Sequence, residues 1–423
     1  MLEKPKLFLT LREFWFSILF LALLVVVRLF FLHAEYREFK EKPFYFTNVE
    51  VITAYEKWSD DRYYTIMKLY SPSLDIGFFS RTDVRVEALT TQLRLKLYPK
   101  EKMRFVEYLG SSFISSEINE IIEVPHSFKG NLLKTIASEH NSTKISNLYS
   151  AIFLATSLER DLRLEVSKLG ISHLIALSGF HLAILSGVLF FLIRLLYHPF
   201  QKRYFPYRFA LYDIGFMVLL LLAWYVWFVD APPSLLRSYF MMVVGWLLLL
   251  SGMELLSIGF LVTVVMLLLV IFPKMLLSLA FWFSVLGVFY IFLFLRYFSH
   301  WNKHLITLSI SFVVFVLMLP LVHLIFPIIT PLQLLSPFLS LLFTLFYPIS
   351  MGLHFIGQGD FFDSLLLNLF NLNGGASNYL FQPIYGVGYL LLSLLALHSK
   401  PFFYLLFLVA LLFSSLLFMG FLV

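Results

Sequence analysis

The sequence predicts a polytopic α-helical membrane protein of about ten spans, with a small all-β, OB-like extracytoplasmic domain near the N-terminus. Three observations predict this class. Hydrophobic residues make up 60% of the 423 positions and charged residues only 14%, which is more apolar surface than a soluble domain can bury. The charge is concentrated before residue 169, where 23 of the 32 Lys and Arg and 21 of the 26 Asp and Glu lie. Within that polar part, short segments alternate apolar and polar residues.

Residues 1–41 are predicted to form an N-terminal transmembrane anchor. The stretch 14–32 is apolar and long enough to cross a bilayer. It lacks the small-residue cleavage site of a secretory signal peptide. Arg28 lies about one turn from its outer end, where the side chain can reach the interface. We therefore expect this helix to stay attached to the protein.

Residues 42–125 are predicted to form the OB-like extracytoplasmic domain. Its strand-like segments are separated by turn residues and are 49–55, 62–70, 75–79, 84–89 and 92–98. OB barrels commonly bind single-stranded nucleic acid, but a folded domain with another role fits the pattern equally well. Because the charge of the domain is near balance, a nucleic-acid groove would depend on local basic and aromatic residues. The candidates are Arg81, Arg85, Arg94, Lys96, Tyr63 and Tyr64.

Residues 126–170 are predicted to form an amphipathic connector. Ile145, Leu148, Tyr149 and Ile152 recur at the spacing of one helix face. A charged stretch, ERDLRLE, follows them. We expect this segment to lie along the membrane interface before the core begins.

Residues 171–423 are predicted to form a multi-span core. The apolar stretches are 171–197, 209–229, 235–251, 255–272, 275–295, 305–326, 332–356, 379–397 and 402–422. The positive-inside rule predicts that the basic loops 198–208 and 296–304 are cytoplasmic. Four spans separate the two loops, and an even number of spans returns the chain to the same side, so the two assignments agree. The same parity places the β-domain outside the cytoplasmic membrane.

The first polar segment within the core is GISHLIALSGFHLAILSGV, residues 170–188. Gly179 permits a break in the helix, and Ser178 can satisfy the carbonyls that a break frees. Helix geometry places His173 and His181 on one broad face. Interrupted helices of this kind line transporter substrate sites. The alternative is that small residues pack against a neighbouring helix and the histidines form hydrogen bonds across it.

The second polar segment is DAPPSLLRSYFMM, residues 230–242. Two prolines and Ser234 are typical of a helix start. Arg237 then falls in the first turn, where it opposes the helix dipole. A phosphate-bearing substrate, Asp230 or placement at the interface would each favour it there.

The third segment is FPKMLLSLAFWFSVLGVFY, residues 272–290, where Ser284 interrupts an aromatic helix. Aromatic residues such as Phe281 commonly face lipid or core, and they could also stack on bases in a channel. The absence of cysteine excludes disulfides and thiolate chemistry. No metal or cofactor site is predicted.

Together these segments resemble the ComEC family of competence membrane proteins, over about residues 145–350. The family's GxxHLLAISGxH segment is matched by Gly170, His173, Leu174, Ala176, Ser178, Gly179 and His181. Its PSxxRAxxM segment is matched by Pro233, Ser234, Arg237 and Met241, with Ser238 in place of alanine. Its GFxLSFxA segment is matched by Phe281 and Ser284, with Ala280, Phe283, Val285 and Gly287 at its other defined positions.

The resemblance implies a channel or translocase that takes up single-stranded transforming DNA across the bacterial inner membrane. It is not expected to be an enzyme. The implied conduit residues are His173, Ser178, Gly179, His181, Ser234, Arg237, Phe281 and Ser284. Without an HxHxDH motif, the chain resembles a short form that lacks the metallo-β-lactamase-like domain. The implied partners are a DNA receptor, a cytoplasmic helicase or ATPase, a separate nuclease, and further copies of the chain.

Two other functions fit the residues. An intramembrane serine protease would use Ser178 as nucleophile and a histidine of another span, such as His323 or His354, as base. A small-solute transporter would use the interrupted helix as its substrate site and should show paired inverted repeats.

Overall fold

The computed structural model describes residues 8, 10–59, 62–84, 91–100, 102–123, 128–251, 257–372, 374–379 and 381–419. Helix α1 spans Leu11–Glu41 and begins at Thr10, whose side chain accepts a hydrogen bond from the Glu13 amide at 3.2 Å. The predicted anchor is therefore helical, and the helix continues beyond the apolar stretch to reach the β-domain, where Phe39 packs into the barrel core.

The β-domain contains β1 (Tyr45–Ser59), β2 (Arg62–Ser71), β3 (Ile76–Thr82), β4 (Thr91–Tyr98), α2 (Phe105–Leu109), β5 (Ser112–Phe113) and β6 (Ser115–Glu123). Four of the predicted strands are confirmed. Of the fifth, 84–89, only residue 84 lies within the described residues. The last two strands were not predicted, because β5 is short and β6 is rich in serine and glutamate.

The strand order is β5-β3-β2-β1-β4-β6. The first half of β1 pairs with β4 and the second half with β2, with a bulge between Val51 and Thr53. β3 pairs in parallel with β5, and only Ile114 separates β5 from β6, which pairs with β4. One continuous segment therefore joins the two edges of the sheet. Its interior is filled by apolar side chains, including Met67, Leu69, Phe78, Leu93, Leu95 and Leu97.

The connector is helical, and its middle helix is buried. It contains α3 (Phe128–Glu139), α4 (Thr143–Leu154) and α5 (Arg160–Lys168). The predicted stripe of α4 is buried, and so are Ser146, Ser150 and Phe153 around the rest of the helix. α3 buries Ile136 and α5 buries Leu162 and Val166, while the other side of each helix is exposed. The placement of this segment along the membrane interface stays a prediction.

The membrane core contains ten helices that carry the apolar stretches or their parts. They are α6 (Ser172–Ile175), α7 (Gly179–Tyr204), α8 (Ala210–Phe228), α9 (Pro233–Leu250), α10 (Ile258–Ile271), α11 (Leu279–Phe298), α12 (Lys303–His323), α13 (Ser336–Phe355), α15 (Pro383–Leu395) and α16 (Lys400–Met419). In the described residues, seven helices are long and apolar enough to cross a membrane: α1, α7, α8, α11, α12, α13 with its preceding turn, and α16. The apolar helices α9, α10 and α15 are shorter.

The segment between α12 and α15 holds elements that the hydropathy pattern did not reveal. Helix α14 spans Asp363–Phe370 and follows α13 through a short 3-10 turn, Gly359–Phe362. Strand β7 (Ile328–Ile329) pairs with β8 (Ser377–Asn378) and so closes the segment into a loop. α13 and α14 pack with α4, α5 and α6 around one apolar cluster.

Candidate functional site

The predicted break in the first core span is confirmed at residues 176–178. Ser178 caps α7, because its Oγ accepts a hydrogen bond from the Phe180 amide at 3.3 Å. His181 Nδ1 lies 3.3 Å from both the amide nitrogen and the Oγ of Ser178. The third residue of a helix lies beside its cap, so His181 accepts the Ser178 amide hydrogen that the interruption leaves free.

Both histidines of the segment face α13. His181 is fully buried, and its ring meets Phe343 and Tyr347 edge-on at centroid distances of 5.1 and 5.0 Å. Its Nε2 has no hydrogen-bond partner in the described residues. His173 is exposed, and its Nε2 lies 3.3 Å from Ser340 Oγ. The helix face predicted to carry both histidines therefore packs against α13, a neighbour that the sequence did not predict.

Gly179 and Ser234 form the contact between α7 and α9. A Cβ on Gly179 would lie 2.6 Å from Ser238 Oγ and 3.0 Å from Ser238 Cβ, so only glycine fits at this approach. Ser234 Oγ donates to the Leu177 carbonyl in the break at 2.6 Å. The break is thus held by hydrogen bonds from both sides.

Arg237 forms the contact between α9 and α11. The residue is 4% exposed, and one terminal nitrogen donates to the Ala280 carbonyl at 3.3 Å. The guanidinium carbon lies 5.6 Å from the centre of the Phe281 ring. Within the described part of the chain, Arg237 has no ion pair and its Nε has no partner. A buried guanidinium normally faces a carboxylate or a phosphate.

Asp230 does not neutralise Arg237. Its Oδ2 lies 2.5 Å from Lys129 Nζ of α3. Burial raises the pKa of Glu50 in β1, the Asp230 carboxylate raises it further, and Lys129 lowers it. Lys129 therefore interacts with the carboxylates of both Asp230 and Glu50, where the barrel meets the core. Asp230 and Ala231 both adopt left-handed backbone, with φ of +64° and +46°, which for residues other than glycine costs about 1 kcal/mol each.

Phe281 and Ser284 lie in the first two turns of α11. Ser278 caps this helix by accepting from the Phe281 amide at 3.3 Å. Phe281 is buried, and Ser284 is half-buried. Just before the helix, Lys274 Nζ lies 2.6 Å from Asp75 Oδ2 in the turn between β2 and β3. The barrel thus contacts the core just before α11, and Glu50 of β1 lies near Asp230, just before α9.

The structure joins the predicted residues through one series of helix contacts, from α13 through α7 and α9 to α11. Three of them, His181, Arg237 and Phe281, are buried against neighbouring helices, whereas the resemblance implies that they line a conduit. Two cavities, of about 450 and 470 Å³, lie elsewhere, the first beside Arg208 and Asp213 and the second beside Phe113. The structure shows this part of the site closed.

The histidines suggested as bases for a serine protease do not approach Ser178. His323 Nδ1 lies 3.2 Å from the Phe326 carbonyl. His354 Nδ1 lies 2.7 Å from the Ser350 carbonyl, and its Nε2 faces His140. Among the described residues, the histidine that contacts Ser178 is His181, whose Nδ1 is part of the helix cap.

The fold and the site define a multi-pass membrane protein with a β-domain outside its helical core. The chain belongs to the competence protein family, of the ComEC type, because the model of that family, described as Competence protein, matches residues 155–421, more than half of the sequence. This membership supports a role in DNA uptake during competence. No curated protein and no solved structure matches the chain.

Proposed function

We propose that this chain forms the path by which one DNA strand crosses the cytoplasmic membrane during natural transformation, and that it does so without chemistry of its own. The observation that carries the proposal is the buried Arg237 guanidinium, which contacts a carbonyl and an aromatic ring but no acid among the described residues. A charged arginine inside a bilayer costs about 2.5–3.5 kcal/mol or more. A backbone phosphate is the ligand that would compensate it.

Opening requires that α9 separate from α11. The polar contacts between Arg237 and α11 are one hydrogen bond at 3.3 Å and one cation–π contact. An entering strand would exchange the Ala280 carbonyl for a phosphate oxygen and would free the face of Phe281 for a base. Arg237 would then keep an oxygen acceptor, and the Phe281 ring would keep a stacking partner.

The rest of the path is neutral. His173, Ser178 and His181 offer hydrogen-bonding groups without fixed charge. Conduction needs binding that is strong enough for entry and weak enough for release. A single arginine followed by neutral groups meets that condition, whereas a row of fixed cations would retain the phosphates.

The orientation of the path follows from the barrel contacts. Asp75 of the barrel binds Lys274, and Asp230 interacts electrostatically with Glu50 of β1, so the loops before α9 and α11 lie on the side of the barrel. α8 connects the basic loop 198–208 to the loop before α9. α11 connects the loop before it to the basic loop 296–304. If the basic loops are cytoplasmic, the barrel is extracytoplasmic and Arg237 lies near the entrance.

We further propose that the β-domain is an OB-like barrel that delivers the strand. Its connectivity supports this assignment, because β1 pairs with β2 and β4, and the segment of β5 and β6 links β3 to β4. Basic and aromatic groups alternate on β2 and β3. Arg81 lies 3.9 Å above the Tyr64 ring centre, and Lys68 lies 6.0 Å from that of Phe79. Arg85 and the side chain of Tyr63 lie outside the described residues.

The family resemblance supplies the remaining partners. We assign the pulling force to a cytoplasmic helicase or ATPase, capture of DNA to a receptor, and degradation of the second strand to a separate nuclease. Self-association of the chain belongs to the same proposal.

The test is uptake of labelled DNA in cells whose own copy is replaced by a variant. Arg237→Gln should abolish cytoplasmic entry while DNA still binds at the cell surface, and Arg237→Lys should restore part of it. Arg296→Gln is the matched control, since Arg296 is an exposed arginine at the other end of α11. Normal uptake by Arg237→Gln at normal protein level would refute the proposal.

A further inference from the structure

A second group of buried polar side chains lies outside the proposed path, between the α3–α4 junction and the turn that joins α13 to α14. His140 Nδ1 lies 3.0 Å from both carboxylate oxygens of Asp363. His140 Nε2 lies 3.1 Å from His354 Nε2, and His354 Nδ1 lies 2.7 Å from the Ser350 carbonyl. The His140 side chain is fully buried.

The hydrogen-bond partners determine how many protons the group holds. A carbonyl oxygen only accepts, so His354 Nδ1 must carry its hydrogen. If His354 is neutral, its Nε2 then carries no hydrogen and presents a lone pair. If Asp363 is ionised, it also only accepts, so His140 Nδ1 carries a hydrogen as well. With both rings neutral, two bare lone pairs would face each other at 3.1 Å.

A single added proton removes this conflict. It makes His140 Nε2 a donor to His354 Nε2, at a separation that suits an N–H···N hydrogen bond. The alternative arrangement, with a protonated Asp363 donating to His140 Nδ1, contains the same number of protons. Either way the folded group holds one proton more than two neutral histidines and an ionised aspartate.

Two carboxylates lie close enough to offset a positive charge here. Asp363 supplies one carboxylate, and Glu139 supplies another, whose Oε2 accepts from the Gly359 amide at 3.0 Å. A Cβ on Gly359 would clash with that oxygen and lie 2.8 Å from His354 Nε2. Tyr149 stacks on His140 at 4.7 Å and meets His354 edge-on at 4.6 Å. Asp360, in the turn between α13 and α14, is exposed.

A proton suits the space better than a metal ion. Among the described residues there is no group of three or more His, Cys, Asp or Glu side chains that could hold a metal. Two histidine nitrogens alone fall short of the ligand sets of protein zinc sites. The separation of the two nitrogens also matches a direct hydrogen bond.

We propose that His140 and His354 bind one proton between their Nε2 atoms, and that this proton ties the α3–α4 junction to the hairpin of α13 and α14. The proton stabilises the folded contact, so the contact should weaken as pH rises. α13 also carries Phe343 and Tyr347, which pack on His181. Loss of the proton therefore loosens the helix that backs the interrupted span.

The test is hydrogen exchange by mass spectrometry on the full chain in lipid nanodiscs, between pH 6 and pH 8.5, with rates corrected for intrinsic exchange. Protection of residues 128–149 and 354–370 should fall by up to about tenfold per pH unit over the range in which the proton is lost. His354→Gln should keep the contact, since its amide can donate to His140 Nε2, but lose this pH dependence. Asp363→Asn should move the fall to lower pH, and Asp360→Asn should leave it in place.

Wild-type protection that does not change with pH would overturn the proposal. So would a stoichiometric metal ion whose removal by chelator abolishes the protection. The measurement uses no DNA, so its outcome is independent of the proposed function.

Discussion

Arg237 and Phe281 form the contact on which the proposed path depends: the guanidinium carbon lies 5.6 Å from the ring centre. The same side chain donates to the carbonyl of the preceding residue, Ala280, at 3.3 Å. A cation–π contact in a desolvated setting contributes about 2 kcal/mol. That is comparable with the cost of the buried charge, so α9 and α11 are held together only weakly here.

The close approach of α7 and α9 can be tested with a double-mutant cycle. Gly179→Ala places a methyl group against Ser238 and should lower stability by about 1–3 kcal/mol, as overpacking does. Ser238→Gly removes the clashing atoms, so the double variant should recover most of the loss. Thermal unfolding in detergent measures the coupling. Additive effects of the two changes would show that these residues do not touch.

The helix break can be tested with Ser178 and Ser186, each of which is followed by a glycine. Ser178 caps α7, whereas Ser186 lies within the helix and donates to the Ala183 carbonyl at 2.9 Å. Ser178→Ala should lower the free energy of unfolding by about 1 kcal/mol and should reduce DNA uptake. Ser186→Ala should change neither by a comparable amount. Equal effects of both changes would contradict the role of the cap.

The orientation can be tested with single cysteines, because the chain contains none. A cysteine at Asp75, in the β2–β3 turn, should react with a membrane-impermeant maleimide in spheroplasts. A cysteine at Lys202, in the basic loop, should react only after the membrane is permeabilised. The reverse labelling pattern would place the barrel in the cytoplasm and would contradict the proposed direction of entry.

The barrel surface can be tested by single-strand binding to the full protein in nanodiscs. Phe79→Ala and Arg81→Ala should each weaken binding of an oligothymidylate by about 5- to 100-fold, because a stacked base contributes about 1–3 kcal/mol. Ile121→Ala is the control, since Ile121 is an exposed apolar residue on β6, away from β2 and β3. An equal loss in all three variants would indicate a general effect on folding.

Local signals in the sequence predicted much of the fold. The apolar stretches, the alternating strands and the Ser178-Gly179 break each depend on residues that are close in sequence. The two-residue strand β5, the strand β6 and the helix α14 escaped prediction because they lack a clear periodicity. The burial of α4 beyond its apolar stripe was not predicted, because it depends on α3 and α14, which sequence periodicity does not reveal.

The members of the candidate site come from the sequence, but their packing could not be predicted from it. His181 meets Phe343 and Tyr347, more than 160 positions away, and Lys129 binds Asp230 across 101 positions. No local pattern encodes such pairs. The burial of Arg237 was not predicted either, because the carbonyl and the ring that it contacts on α11 are partners that only the tertiary structure supplies.

Site-specific photocrosslinking during uptake tests the central claim most directly. A photoreactive phenylalanine analogue at Ser284, one turn beyond Ala280, should crosslink to labelled incoming DNA. The same analogue at Trp282, an exposed residue on another face of α11, should not. DNA adducts at 284 and not at 282 are the predicted result. Efficient uptake without adducts at 284, or with equal adducts at both positions, would contradict passage of the strand between α9 and α11.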